Sequence, residues 1–110
     1  LFQTGFTANN TKFEGNSSNY GGAISKSCDL SEINLNSCEF INNHANSCGG
    51  AIYYNGGSLK TEGCTFKNNS AGTAGGAMYV SCRQNGSNLK MYDTTITNNT
   101  FRTVFNIFFI

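Results

Sequence analysis

The sequence predicts an all-β chain, a parallel β-helix solenoid of about four coils of 26–30 residues, on three observations. GGAI stands at residues 21–24 and 49–52 and returns as GGAM at 75–78. A second motif precedes each copy by eight or nine residues: FEGN at 13–16, FINN at 40–43 and FKNN at 66–69, with a looser ITNN at 96–99. Apolar residues between the motifs alternate in steps of two and three, and no stretch sustains a 3.6-residue period, so no helix is assigned.

The elements of one coil follow in chain order. Aligned on the phenylalanine, four rows share one template: FTANNTKFEGN (6–16), INLNSCEFINN (33–43), LKTEGCTFKNN (59–69) and LKMYDTTITNN (89–99). Apolar or small residues fall at row positions 1, 3, 6 and 8, as in Ile33, Leu35, Cys38 and Phe40. Steps of two describe strand alternation, and the step of three is a bend between two short strands. An Asn-Asn corner follows, then a turn of small residues, then a third strand on GGAIYY. A lone coil cannot bury its inward face; coils stacked about 4.8 Å apart pair every strand with its copies and align equivalent side chains in ladders.

The predicted ladders are Phe13, Phe40, Phe66 and Ile96 inside, and an amide row of Asn43, Asn69 and Asn99 at the corner, where asparagine tolerates left-handed backbone and can bond its own copies. A buried Phe contributes about 1.5–3 kcal/mol, so this row outweighs any surface ion pair. The paired glycines Gly21 and Gly22, Gly49 and Gly50, and Gly75 and Gly76 are turn residues: they supply positive φ and close approach of neighbouring coils. A phosphate-binding reading of GGA fails, because no helix and no Lys-Ser/Thr pair follows. The lengths between the third strand and the next row vary, so loops leave from one side of the coil, where recognition can reside.

Composition narrows the function. Thirteen glycines, seventeen asparagines and no proline make the chain turn-rich, while recurring Phe, Tyr, Ile and Leu argue against disorder. Seven Lys/Arg against six Asp/Glu give no basic field for nucleic acid. The longest apolar run, Ile107 to Ile110, is far below the roughly 18 residues of a membrane span. The chain opens on Leu1 and is read as a piece of a longer protein, without a signal peptide of its own.

GGA followed by an aliphatic residue, paired with FxxN at this interval, resembles the repeats of the chlamydial polymorphic membrane proteins and of related surface proteins, including some in protists. The resemblance runs from Phe13 to Asn99. It implies a right-handed parallel β-helix at a cell surface, on an outer membrane or secreted, serving as an autotransporter passenger or adhesin stalk, with no catalytic residue to carry over. Residues 1–99 are thus the repeat segment. Residues 100–110 depart from it: the next GGA belongs near 105, and FRTVFNIFFI stands there instead as a degenerate strand, a cap or a truncated segment.

No catalytic, cofactor or metal site is expected. Cys38 and Cys64 share a row position in adjacent coils, at about 4.8 Å and within the disulfide window, yet parallel side chains and Thr11 and Thr94 at the same position favour reduced packing. Cys28 and Cys82 match across two coils, at about 9.6 Å, too far to bond. His44 reads as a solvent-facing turn residue beside Cys48, not as the base of a nucleophile, and zinc lacks ligands. Of the six acids only Glu14 and Glu39 approach each other, so the alternative, a pectate-lyase-like polysaccharide enzyme, needs its active site on coils elsewhere. Ice binding fails, since TTIT at 94–97 has no copy in EFIN. Sequons stand at Asn9, Asn16, Asn68, Asn85 and Asn98, a number close to chance in so polar a chain. Tyr53, Tyr54 and Tyr79, with Tyr20 nearby, are the candidate interaction surface toward a protein or glycan.

Overall fold

The computed structural model describes residues 5–26, 32–55, 57–81, 88–100 and 107–109, and the chain winds through them as stacked parallel coils. The first coil contains β1 (Phe6–Asn9), β2 (Lys12–Glu14), β3 (Ser17–Tyr20) and β4 (Ile24–Lys26). The second contains β5 (Glu32–Asn36), β6 (Glu39–Ile41), β7 (His44–Cys48) and β8 (Ile52–Asn55). The third contains β9 (Ser58–Glu62), β10 (Thr65–Lys67), β11 (Ser70–Ala71) and β12 (Met78–Ser81). The fourth has β13 (Asn88–Tyr92), β14 (Thr95–Thr97) and β15 (Ile107–Phe109).

Equivalent strands form four parallel sheets, ordered β1-β5-β9-β13, β2-β6-β10-β14, β3-β7-β11 and β4-β8-β12-β15. The register follows the row alignment: Phe13 faces Phe40, Phe40 faces Phe66 and Phe66 faces Ile96. Each coil is therefore a parallel β-helix turn with the repeated motifs in vertical columns.

One element differs from the sequence reading, which placed a turn of small residues between the Asn corner and the glycines. That stretch is a fourth strand, with Ser17 and Ser70 flanking His44 and Ser18 and Ala71 flanking Ala45 in register. Its side chains give almost no apolar alternation, and the backbone ladder to the neighbouring coils sets its conformation. The segment at 107–109 is also a strand, in register with Met78–Val80.

The core is the sum of the inward columns. Leu35, Cys38, Phe40, Ile52, Tyr54, Phe66, Ala77, Met78 and Val80 are fully buried. The outer coils bury less: Phe13, Leu89, Met91 and Ile96 are partly covered, and Phe6 is 47% exposed. The described coils flank these residues on one side only.

Candidate functional site

The columns at the corners carry most of the side-chain chemistry. Among the described residues, left-handed backbone recurs in three columns. At the bend between the first two strands stand Asn10, Ser37, Gly63 and Asp93, with φ of 51°, 53°, 65° and 48°. At the second corner stand Gly15, Asn42, Asn68 and Asn98, with φ of 72°, 57°, 58° and 53°. Gly21, Gly49 and Gly75 stand at the glycine turn with φ of 67°, 72° and 68°, and Gly57, between β8 and β9, adds one more at 83°. Asn, Asp and Gly dominate because they tolerate this region best.

At the second corner two asparagines divide the labour. The first, in Asn42, Asn68 and Asn98, takes the left-handed conformation and points to solvent; the second, in Asn43, Asn69 and Asn99, is buried and makes the amide row. Asn69 is the fullest case. Its Oδ1 accepts from the Asn43 backbone N–H at 2.9 Å and from Asn43 Nδ2 at 3.0 Å, while its Nδ2 donates to the Phe40 carbonyl at 2.9 Å and to Asn99 Oδ1 at 2.8 Å. Asn43 and Asn99 repeat the donation to Phe13 and Phe66. One carboxamide thus closes a buried backbone donor and a buried backbone acceptor of the coil before it. Asn16 extends the row, with its N–H and Nδ2 both donating to Asn43 Oδ1 at 3.0 Å. The sequence reading left Asn16 out, although it ends FEGN where Asn43 ends FINN.

At the first bend the side chain after the left-handed residue is a short donor. Thr11 Oγ1 donates to the Asn9 carbonyl at 3.0 Å and Thr94 Oγ1 to Tyr92 at 3.1 Å. Cys38 Sγ reaches the Ala8 carbonyl at 3.4 Å and Asn36 at 3.5 Å, and Cys64 Sγ reaches Leu35 at 3.3 Å and Glu62 at 3.7 Å. Both cysteines are buried free thiols, and burial pushes the Cys64 thiol above its ordinary pKa. They are not only packing residues, since their S–H groups stand where Thr places a hydroxyl. Cys28, Cys82 and Asn85 lie outside the described residues.

The glycine pair has two separate tasks. A Cβ on Gly49 would collide with the carbonyl of Ile52 in its own coil, whereas one on Gly50 would collide with the carbonyl of Gly76 in the next. The first glycine turns the chain, and the second lets the coils touch.

The inner phenylalanines stack face to face, Phe13 to Phe40 and Phe40 to Phe66, each at 4.7 Å between ring centroids. A second aromatic column stands outside. Tyr53 and Tyr79 stack at 5.3 Å with a 7° interplanar angle, and Tyr20, 48% exposed, tilts onto Tyr53 at 5.1 Å. Tyr54 does not belong to this surface. It is fully buried, and its hydroxyl donates to the Gly57 carbonyl. Strand alternation explains the difference, because Tyr54 shares the inward parity of Ile52 while Tyr53 faces outward.

The remaining polar candidates disperse. His44 is not a loose turn residue: it lies on β7, half-buried, with Nδ1 2.7 Å from Ser70 Oγ of the next coil. Glu14 pairs with Lys12 and Glu62 with Lys60, each at 3.7 Å on the surface. Among the described residues no group of three or more His, Cys, Asp and Glu could hold a metal, and no helix is long and apolar enough to cross a membrane.

The model of the Chlamydia polymorphic membrane protein repeat matches residues 10–27, 37–55 and 63–81, a little over half of the chain. The chain belongs to this repeat family. No curated protein and no solved structure matches it. As a Chlamydia polymorphic membrane protein repeat it is a repeat region of a surface protein. Each matched unit opens on a left-handed residue of the first bend, Asn10, Ser37 or Gly63, and closes at the end of the strand after the glycines. The unit of the polymorphic membrane protein repeat is therefore three strands and the three left-handed positions that precede them, and the strands β1, β5, β9 and β13 are the connecting side of the coil.

Proposed function

We propose that the chain is a non-catalytic, surface-exposed segment of an adhesin or autotransporter passenger, which spaces other parts of its protein from the cell and meets a protein or glycan through the Tyr20, Tyr53 and Tyr79 column. The observation that carries this reading is where the repeated residues spend their bonding capacity. The Asn row, the Thr/Cys donors and the glycine pairs are all consumed by contacts within and between coils, so the repetition serves stacking. The tyrosines are the repeated aromatic group turned outward. Tyrosine gives contact area at low entropic cost and a hydroxyl for hydrogen bonding, which suits an interface.

The test is binding of the chain, displayed on beads, to arrays of glycans and of extracellular-matrix proteins. A Tyr53→Ser, Tyr79→Ser variant is expected to lose at least about tenfold of the binding, equivalent to about 1.4 kcal/mol, with an unchanged far-ultraviolet spectrum. Equal binding by parent and variant removes the tyrosine column from the reading.

A further inference from the structure

The corners sort the sequons into those whose asparagine is free and those whose asparagine is committed. Asn68 and Asn98 occupy the left-handed position of the second corner in adjacent coils, exposed, with no protein partner for their carboxamides among the described residues. The residue after each, Asn69 or Asn99, turns inward and carries the amide row, so the corner uses no side-chain bond of the sequon asparagine. Asn16, which also begins a sequon, is itself the row member: its Nδ2 donates to Asn43 Oδ1 at 3.0 Å.

We propose that Asn68 and Asn98 are acceptor sites for asparagine-linked glycans in a chain that passes through a eukaryotic secretory pathway, and that Asn16 is not. In the transfer, Nδ2 forms a bond to C1 of a sugar carried on a lipid pyrophosphate. The C1–O bond to phosphate breaks, the amide loses one proton to the base of the transferase, and the lipid pyrophosphate leaves with the bonding electrons. A glycan at Asn68 or Asn98 projects from the corner into solvent, and the coil closes with every hydrogen bond of the amide row intact. A glycan at Asn16 replaces one of the two hydrogens on the nitrogen that donates to Asn43 Oδ1 and sets a sugar against the contact between the first coil and the second. The two free sites lie one coil apart, about 4.8 Å along the solenoid, so their glycans form a single column that shields this corner.

The experiment expresses the full chain behind a secretory leader in a eukaryotic cell line and collects the secreted, folded fraction. Deglycosylation in heavy-oxygen water marks each occupied asparagine as labelled aspartate. Label at Asn68 and at Asn98, and none at Asn16, is the expected result. Absence of label at both Asn68 and Asn98, or label at Asn16 equal to theirs, overturns the proposal. The Asn68→Gly, Asn98→Gly variant is the control for folding: glycine takes this corner as Gly15 does in the first coil, so the variant folds like the deglycosylated parent and loses the glycan mass assigned to these two sites.

Discussion

The two bends of each coil solve one problem with different chemistry. Both use a left-handed residue, and at both its N–H donates to a carbonyl of the next coil: Ser37 to Glu62 at 2.7 Å at the first bend, Asn42 to Lys67 at 3.1 Å at the second. They differ in what the following side chain must supply. At the first bend it only adds a second donor to nearby carbonyls, and Thr11, Cys38, Cys64 and Thr94 all do so. At the second it must accept from one buried backbone N–H and donate to one buried carbonyl at once, and every described coil uses asparagine there. Sequence variety across the coils tracks the number and kind of bonds each side chain closes: a lone donor can be a thiol or a hydroxyl, while a paired donor and acceptor in a short fork must be a carboxamide.

The sharpest way to break this comparison is Asn69→Leu. Leucine is close in volume, but in a buried site it leaves the Asn43 N–H and the Phe40 carbonyl without the Asn69 side chain, and it takes one acceptor from Asn43 Nδ2. With about 1–3 kcal/mol for each unsatisfied group, the loss is on the order of 4 kcal/mol or more. The urea midpoint should fall well below the parent's. A shift no larger than that of the same substitution at Asn68 would show that the row is packing and not bonding.

The left-handed position next to it tests the other half of the division. Asn68→Ala keeps the Cβ and the exposed site but removes the short carboxamide that lets asparagine tolerate a φ of 58°, so it should cost up to about 1 kcal/mol. Asn68→Gly should cost much less, because Gly15 occupies the same corner in the first coil. Equal melting temperatures for the two variants would remove backbone strain from the account.

Much of this was legible before any coordinates, and the reasons are specific. The Phe13, Phe40 and Phe66 column, the glycine pairs and Asn43, Asn69 and Asn99 repeat with nearly the same identity, and identity at a fixed interval translates directly into register. What escaped lacked that signal. The strand at Ser17–Tyr20, His44–Cys48 and Ser70–Ala71 has side chains with little apolar contrast, so only the backbone ladder reveals it. His44 finds Ser70 across 26 residues, a pairing visible only once the coils are in register. Tyr54 could have been placed inside, since it stands two residues from buried Ile52 on one strand. The role of the cysteines as donors was hidden by reading them as small hydrophobes, although Thr11 and Thr94 at the same row position share just one property with them, a short side chain that donates.

That shared property sets the smallest expected effect. Cys64→Thr should change stability at pH 7 by less than about 1 kcal/mol, because the hydroxyl inherits the Leu35 and Glu62 carbonyls in a cavity of similar size. The pH dependence should nevertheless change. Burial raises the folded-state pKa of the Cys64 thiol, so the folded chain keeps that proton while the unfolded chain loses it. The unfolded state then binds fewer protons, and stability falls with rising pH. The contribution is fully present below the unfolded thiol's value near pH 8.5, by the reference for free cysteine, and is lost as pH rises from there through the raised folded value. Urea midpoints measured under reducing conditions from pH 7 to pH 10 should therefore decline less steeply for Cys64→Thr than for the parent. Parallel declines would mean that the thiol ionises alike in both states, and that the first bend does not bury the group that closes it.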